Sequence, residues 1–273
     1  MADKPQETST PGYSMGYSDG QVERLRRNTA ETQAPYLLPY LKPGMRLLDI
    51  GCGPGTISAG LASAVEPGEF HGIDMNELQV ELATAAAAEA GLSNTHFQAA
   101  DALNLPFPND YFDAVHCRSI LFHIPDTTAV LTEIKRVLKS GGVVGAREPI
   151  FDCIIWEPDI AIMHRAHAFF VDLMIKNGGH IQMGKELRAR FSEAGFVDVE
   201  ASGALFTYGS QSAVAEHADN LLGAFDEAWK SAISDGIASM EEQEQWREAL
   251  GAWKNHPGAF AARAVGDAIG RKP

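Results

Sequence analysis

The chain has 273 residues, of which 45% are hydrophobic and 21% charged, a composition typical of one large globular domain or of one domain with a small accessory part. Its formal net charge of -14 argues against a nucleic-acid partner, because binding a polyanion requires a basic surface. No apolar run is long enough to span a bilayer and the first residues lack the features of a signal peptide, so we expect a cytoplasmic protein.

The three cysteines, Cys52, Cys117 and Cys153, form no C-x-x-C pair and belong to no His/Cys cluster with metal-ligand spacing. Isolated cysteines of this kind are typical of reduced thiols. His164 and His167 lie on one predicted helix and could bind a metal only if further ligands converged on them. The sequence therefore predicts neither a disulfide framework nor a metal site.

Residues 1–35 are predicted to form a flexible N-terminus followed by a lid helix. The start of the chain is polar and rich in Pro and Thr, which is typical of disorder. Tyr13 and Tyr17 stand among small residues and could close over a bound cofactor, or could be incidental aromatics in a tail. A helix is predicted over residues 22–33.

Strands and helices alternate from residue 36 onward, which predicts a parallel sheet covered on both faces, with right-handed crossovers. Pro54, the capping-box-like pair of Asn76 and Gln79, and the N-cap Asp126 mark the starts of three helices. The first five strands are predicted over residues 46–50, 70–74, 95–100, 112–117 and 143–146. With two later strands they predict an α/β fold, a Rossmann-like, doubly wound, mostly parallel seven-stranded sheet whose core covers residues 36–210.

A helical insertion is predicted within this core, at residues 151–180. Its helix, over residues 158–176, carries Met163, His167 and Phe170 on one stripe. We expect this helix to cover a site and these three side chains to bind substrate, although a stripe at this spacing is also typical of a packed core.

The predicted elements after the insertion are a helix over residues 185–194 and a long strand over residues 196–208. Residues 211–273 form the last predicted region, with two amphipathic helices that contribute to a cap. Its final segment, residues 259–273, favours a strand, although its alanines also allow a helix.

The stretch LLDIGCGPGT, residues 47–56, predicts a buried strand followed by a glycine-rich turn. Its glycines, Gly51, Gly53 and Gly55, follow the pattern G-x-G-x-G, and Thr56 occupies the place of the third glycine of a dinucleotide fingerprint. Asp49 would repel a pyrophosphate. The pattern therefore favours a nucleoside cofactor with a cationic end and no phosphate, a description that fits S-adenosylmethionine.

Two further carboxylates follow the next two strands. Asp74 ends the second strand, where an acid can accept a hydrogen bond from a ribose hydroxyl, and Asp101 follows the third, where it could receive an adenine amino group. Open parallel sheets bind ligands at the carboxyl ends of their strands. We therefore expect Asp49, Asp74 and Asp101 to face one ligand.

Five segments in this order, LLDIGCGPGT, GIDMN, QAADALNLPF, FDAVHCRSILFHIPD and EIKRVLKSGGVV, resemble the motif set of class I S-adenosylmethionine-dependent methyltransferases. Within them the sequence is most similar to the small-molecule enzymes of the ubiquinone and menaquinone biosynthesis branch, over residues 36–148 and more loosely to residue 208. The resemblance implies S-adenosylmethionine as cofactor. It also implies that Gly51, Cys52, Gly53 and Gly55 line the methionine part of the cofactor, that Asp74 binds the ribose, that Asp101 and Ala102 meet the adenine, and that Cys117 lies beside the sulfonium. We expect four further cofactor-binding residues: Tyr17, Asp49, Thr56 and Met75.

His116 and His123 flank the loop on the cofactor side and are candidate general bases, although a histidine at such a position more often has a structural role. Arg118 and Arg147 lie near strand ends and could hold a substrate anion or pair with Glu148. Arg118 is the residue that we include among the candidate substrate ligands.

These motifs predict metal-independent, in-line methyl transfer to a small apolar or aromatic metabolite. The alternatives are a protein or RNA methyltransferase, which the acidic charge opposes, a binding protein without catalytic activity, and a dinucleotide oxidoreductase, which would need a glycine at Thr56. A homodimer is possible.

Overall fold

The computed structural model describes residues 29–273. Its centre is one seven-stranded sheet with the order β3-β2-β1-β4-β5-β7-β6, in which β7 runs antiparallel to both neighbours. The predicted mostly parallel, Rossmann-like sheet is confirmed. The strands are β1 (Leu47–Ile50), β2 (Phe70–Asp74), β3 (Thr95–Ala99), β4 (Phe112–Arg118), β5 (Leu138–Glu157), β6 (Val197–Tyr208) and β7 (Phe260–Arg271).

Helices cover both faces of this sheet because the strands bury side chains alternately on each side. Leu47 packs into a cluster with Leu61 of α2, whereas Leu48 packs into a second cluster with Leu131 of α4. The helices are α1 (Ala30–Gln33), α2 (Thr56–Val65), α3 (Glu77–Glu89), α4 (Thr127–Val137), α5 (Ala161–Lys176), α6 (Met183–Glu193), α7 (Gln211–Ser234) and α8 (Met240–Lys254), with 3-10 turns at Leu38–Tyr40 and Leu121–His123.

Two of the predicted helix starts have the expected caps. The Asn76 side chain accepts hydrogen bonds from the backbone of Leu78 and Gln79, and Asp126 accepts one from Ala129. The capping box does not form, because the Gln79 side chain makes no hydrogen bond back to the backbone of Asn76 within residues 29–273. The helix expected near Pro54 begins at Thr56.

The fifth strand is longer than the sequence indicated, because it continues from Leu138 to Glu157 along the edge of β7. The final segment is a strand, and it lies inside the sheet between β5 and β6. Its small residues allow α6 to approach closely: a Cβ on Gly266 would lie 1.8 Å from the carbonyl oxygen of Gly184.

Helices α5, α7 and α8 form a helical layer, built on three buried tryptophans. The ring of Phe169 lies 4.9 Å from that of Trp229, and Nε1 of Trp253 donates a 2.9 Å hydrogen bond to the carbonyl of Glu157. The layer is thus attached to the end of β5. Among residues 29–273, no helix has the length and apolar character needed to cross a membrane.

Tyr13, Tyr17 and most of the helix expected over residues 22–33 lie outside the described residues. Helix α1 corresponds to the last four positions of that helix.

Candidate active site

A cavity of about 570 Å³ lies at the carboxyl ends of β1, β2 and β4, where the sequence predicted a ligand. One side of it is formed by the glycine turn and the acidic strand ends, and the other by the loop after β4. Its walls include nine of the expected cofactor ligands, Asp49, Gly51, Cys52, Gly53, Thr56, Asp74, Met75, Asp101 and Ala102, and also His116, Arg118 and His123.

The three glycines of the turn have different roles, although all have positive φ. A Cβ on Gly51 would lie 2.0 Å from Cδ1 of Ile120, and one on Gly55 would lie 2.8 Å from Cα of Ala83. Gly55 thus lets two helices approach each other and does not line the cavity. A Cβ on Gly53 would meet only Gln79, at 3.9 Å, so this glycine keeps cavity space open.

Asp74 connects the end of β2 to the glycine turn. One of its carboxylate oxygens accepts a hydrogen bond from the Gly53 amide at 3.1 Å, and the other accepts one from Asn76 at 3.0 Å. Burial raises its pKa above the usual range for an aspartate. Asp101, by contrast, is exposed at the cavity edge, where its carboxylate accepts a hydrogen bond from the Leu103 amide.

Gln79 is a cavity residue that the sequence reasoning missed. Its side chain is 2% exposed, and neither its amide oxygen nor its amide nitrogen has a hydrogen-bond partner within the described part of the chain. A buried, unpaired amide is costly, so its position on the cavity wall beside Gly53 fits a polar ligand. Gln79 lies in the first turn of α3, which follows Asp74 and the N-cap Asn76, and its place in the sequence is equally compatible with a capping role.

His116 and Asp49 form a buried pair on neighbouring strands β4 and β1. Nδ1 of His116 lies 2.7 Å from Oδ1 of Asp49, whose other oxygen accepts a 2.8 Å hydrogen bond from the Ser58 hydroxyl. Since the carboxylate is the acceptor, Nδ1 carries the proton. Nε2 of His116 has no partner among residues 29–273, so its ring can offer that nitrogen to a ligand.

The far side of the cavity is formed by Arg118 and by the loop that contains Ile120, His123, Ile124 and Pro125. Burial lowers the pKa of His123 to about 4, which keeps its imidazole neutral at physiological pH. A guanidinium beside apolar walls suits an acceptor with an apolar body and an anionic group.

Arg147 does not hold a substrate anion or pair with Glu148. It is 2% exposed, and its guanidinium makes two hydrogen bonds with the carboxylate of Asp267, at 2.6 and 2.9 Å. The third guanidinium nitrogen, Nη1, donates a hydrogen bond to the carbonyl of Thr32 in α1. β7 supplies this partner, and its pairing with β5 was not foreseen.

Besides Gly55, four expected ligands among the described residues do not line the cavity. Cys117 is fully buried in the core, and burial raises the pKa of its thiol well above its usual range. Met163 is also fully buried, His167 contacts the carbonyl of Phe151 at 2.7 Å, and Phe170 stacks on Phe225. The stripe of α5 therefore does not line the cavity, contrary to the expectation that it binds substrate. Its apolar side chains are buried against α7, a partner that the sequence alone could not identify.

His164 pairs with Asp159 at 2.6 Å. Across residues 29–273, no group of three or more His, Cys, Asp or Glu side chains is arranged to hold a metal ion.

Comparison with known proteins agrees with this geometry. Residues 41–164 match the model of a family described as a methyltransferase domain. A probable methyltransferase of Aspergillus luteorubrus, ltbC, is 38% identical over 150 residues, which cover 52% of this chain and 53% of that protein. The chain spans about half the length of the first curated relatives that it matches.

Two further comparisons extend the match. The demethylmenaquinone methyltransferase of Geobacillus kaustophilus is 30% identical over 179 residues, covering 59% of this chain and 74% of that enzyme. The crystal structure of YcgJ from Bacillus subtilis superimposes with a TM-score of 0.58 at 22% identity, over 88% of this chain and 97% of that one. The second comparison supports the fold alone.

A Rossmann-like sheet with a reversed β7, a G-x-G-x-G turn and an acid at the end of β2 together define a nucleoside-cofactor protein. The relatives make the assignment specific: the chain belongs to the class I S-adenosylmethionine-dependent methyltransferase family. The cofactor of this family is S-adenosylmethionine, and the open space at Gly53 and the unpaired amide of Gln79 fit a ligand with a ribose and an amino-acid tail.

Proposed function

We propose that this protein transfers a methyl group from S-adenosylmethionine to a small metabolite with an apolar or aromatic body and an anionic group. The observation that supports the proposal is that carboxylates and the guanidinium of Arg118 line opposite sides of the same cavity. Asp49, Asp74 and Asp101 suit a cofactor with a cationic end and a ribose, and Arg118 suits an acceptor anion.

The residues proposed to hold the cofactor lie in three places. Asp74 and Gln79 would accept or donate hydrogen bonds at the ribose, Asp101 and Ala102 would meet the adenine, and the turn at Gly51 and Gly53 would accommodate the methionine part. When bound, the cofactor supplies an electrophilic methyl group on a good leaving group. The protein then needs mainly to align the acceptor and exclude water.

A general base is needed only when the acceptor carries a proton of high pKa. His116 is the stronger candidate, because Asp49 orients its ring and holds the proton on Nδ1. His123, with its pKa lowered to about 4, suits accepting a hydrogen bond better than removing a proton. The proposed reaction is an in-line displacement that does not depend on a metal, and a chelator should leave its rate unchanged.

The proposal is tested by methyl transfer from radiolabelled S-adenosylmethionine to pairs of aromatic acceptors that differ only in a carboxylate. The acidic member of each pair is expected to be the better substrate. Arg118→Gln should remove that preference, while Arg188→Gln, on the exposed face of α6, should keep it. No transfer to any small acceptor, but transfer to protein or RNA, would favour the alternative substrates; cofactor binding without any transfer would favour a non-catalytic role.

We also propose a cytoplasmic location, consistent with the three free cysteines. A homodimer stays a prediction, which light scattering of the purified protein tests directly.

A further inference from the structure

Glu148, on β5, is a buried carboxylate that the proposed chemistry does not use. Its side chain is 0% exposed, and its carboxylate accepts three consecutive backbone hydrogen bonds from the loop after β4. Oε1 accepts from Ile120 at 3.0 Å and from Leu121 at 2.9 Å, and Oε2 accepts from Phe122 at 3.4 Å. Removing this side chain would leave three buried or half-buried amides without their acceptor.

The loop that Glu148 holds forms the acceptor side of the cavity, and it also touches the cofactor turn. Ser119 begins it with φ of +54°, a left-handed conformation that a serine rarely adopts, and its amide donates to the carbonyl of Arg147. Ile120 follows, and its side chain lies over Gly51, where a Cβ would be only 2.0 Å away. Through the loop, the Glu148 carboxylate therefore affects both the acceptor side of the cavity and the cofactor turn at Gly51.

We propose that Glu148 is a positioning residue: its carboxylate holds residues 119–123 against Gly51 and thereby sets the geometry of both the cofactor turn and the acceptor wall. The inference rests on the proposed function for its consequence in catalysis, but the arrangement of the loop itself is independent of any ligand. Glu148 acts only through the loop and does not line the cavity.

The ionised form of Glu148 is the one that can accept all three amides. Burial raises its pKa to about 7, against the opposing effects of the three amide hydrogen bonds and of the Arg118 charge. The Cys117 thiol interacts electrostatically with Glu148, and burial raises the pKa of this thiol well above its usual range, while Arg118 keeps its charge. Neither changes charge between pH 6 and 8, and His123, whose pKa burial lowers to about 4, stays neutral in that range. His180 donates its backbone amide to the carbonyl of Phe122, so the part of the loop response that Glu148→Gln abolishes is the part that reports Glu148.

The test uses the full chain and follows two signals between pH 6 and 8. The amide resonances of residues 120–122 are measured by NMR without ligand, and the affinity for S-adenosylhomocysteine is measured by calorimetry. In the wild type we expect the three amides to titrate together. The affinity should fall roughly tenfold from pH 8 to pH 6, the change in the ionised fraction of a group with a pKa near 7.

Glu148→Gln is the test variant, because an amide keeps the shape but offers only one acceptor oxygen. It should bind S-adenosylhomocysteine about tenfold more weakly at pH 8, show faster amide exchange at residues 120–122 and lose the pH dependence. Glu157→Gln, the same change at an exposed position of the same strand, should behave as the wild type.

The proposal is overturned if Glu148→Gln keeps the wild-type affinity and pH profile, or if its amides at residues 120–122 exchange as in the wild type. If the variant does not fold, the two wild-type titrations are compared. The same midpoint for the amides of residues 120–122 and for the S-adenosylhomocysteine affinity supports the proposal, and different midpoints overturn it. A wild-type protein that binds no S-adenosylhomocysteine would contradict the proposed function, while the amide signals would still test the role of Glu148.

Discussion

Nδ1 of His116 and Oδ1 of Asp49 are 2.7 Å apart, and the two side chains are 1% and 4% exposed. This contact joins β4 to β1 directly beneath the cavity, and the hydroxyl of Ser58 completes the environment of the carboxylate. A buried carboxylate that loses its strongest partner retains the full cost of desolvation.

His116→Phe is therefore expected to lower the free energy of unfolding by about 3 kcal/mol, because among residues 29–273 it leaves the buried Asp49 carboxylate with the Ser58 hydroxyl as its one side-chain partner. Ser58→Ala removes only a neutral donor and should cost about 1 kcal/mol. Chemical denaturation of both variants measures the difference. Equal losses for the two would show that the histidine is not the main partner of Asp49.

Gly53→Ala is expected to affect binding more than folding. Its φ is +54°, so an alanine there is strained by about 1 kcal/mol, but the new methyl group would lie in open cavity space. The matched control is Gly91→Ala, at a glycine away from the cavity with φ of +71°. A Cβ there would have no atom of residues 29–273 within 4 Å apart from its chain neighbours. Both variants should lose similar stability in thermal unfolding, while only Gly53→Ala should bind S-adenosylhomocysteine at least tenfold more weakly. Unchanged affinity in Gly53→Ala would mean that the cofactor does not approach this turn.

The Arg147–Asp267 pair is expected to stabilise the contact between β5 and β7. Because both groups are buried, Asp267→Asn should cost about 3 to 5 kcal/mol, since it leaves the guanidinium without a counter-charge. The control is Asp235→Asn, which breaks the exposed pair with Lys176 and should change stability by less than about 1 kcal/mol. Urea unfolding compares them, and a small effect for both would contradict the importance of the buried pair.

His123 and Glu148 are expected to give opposite pH dependences of stability. Burial lowers the His123 pKa to about 4 from 6.5, so the unfolded chain binds more protons and stability is lost as pH falls from 6.5 toward 4. The Glu148 pKa is raised from 4.5 to about 7, so the native chain binds more protons and stability is lost as pH rises from 4.5 to 7. Each contribution is on the order of 3 kcal/mol.

The free energy of unfolding of His123→Gln minus that of the wild type should therefore be larger at pH 5 than at pH 7.5. For Glu148→Gln the same difference should be smaller at pH 5 than at pH 7.5. Denaturant unfolding at the two pH values measures both differences. If the free energy of unfolding changes equally with pH in the wild type, His123→Gln and Glu148→Gln, both pKa shifts are ruled out.

The sequence could predict the sheet and the acidic wall of the cavity because these depend on local features. Asp49 and Asp74 lie in or at the ends of short strands, Asp101 closely follows one, and parallel strands bring such positions to one edge. The glycine spacing and the absence of a glycine at Thr56 distinguished this turn from a dinucleotide site. These are properties of consecutive residues, which a sequence displays directly.

The residues that were missed or misplaced depend on contacts between distant segments. Met163 lies on an apolar stripe that is buried against another helix, and the partner of Arg147 is 120 residues away, on β7. Glu148 gains its role only because β5 pairs with β4, which places its carboxylate under the loop that follows β4. Apolar periodicity indicates that a side chain is buried, but it does not identify the segment against which that side chain packs.

We expect this cavity to bind S-adenosylmethionine through its acidic wall. This expectation is tested by calorimetric titration of the wild type, Asp74→Asn and the exposed control Glu77→Gln with S-adenosylhomocysteine. We expect micromolar binding to the wild type and the control, and a loss of about 1 to 3 kcal/mol in Asp74→Asn, where the ribose hydroxyls lose their charged acceptor. An undisturbed affinity in Asp74→Asn, or no binding to the wild type, would contradict this expectation.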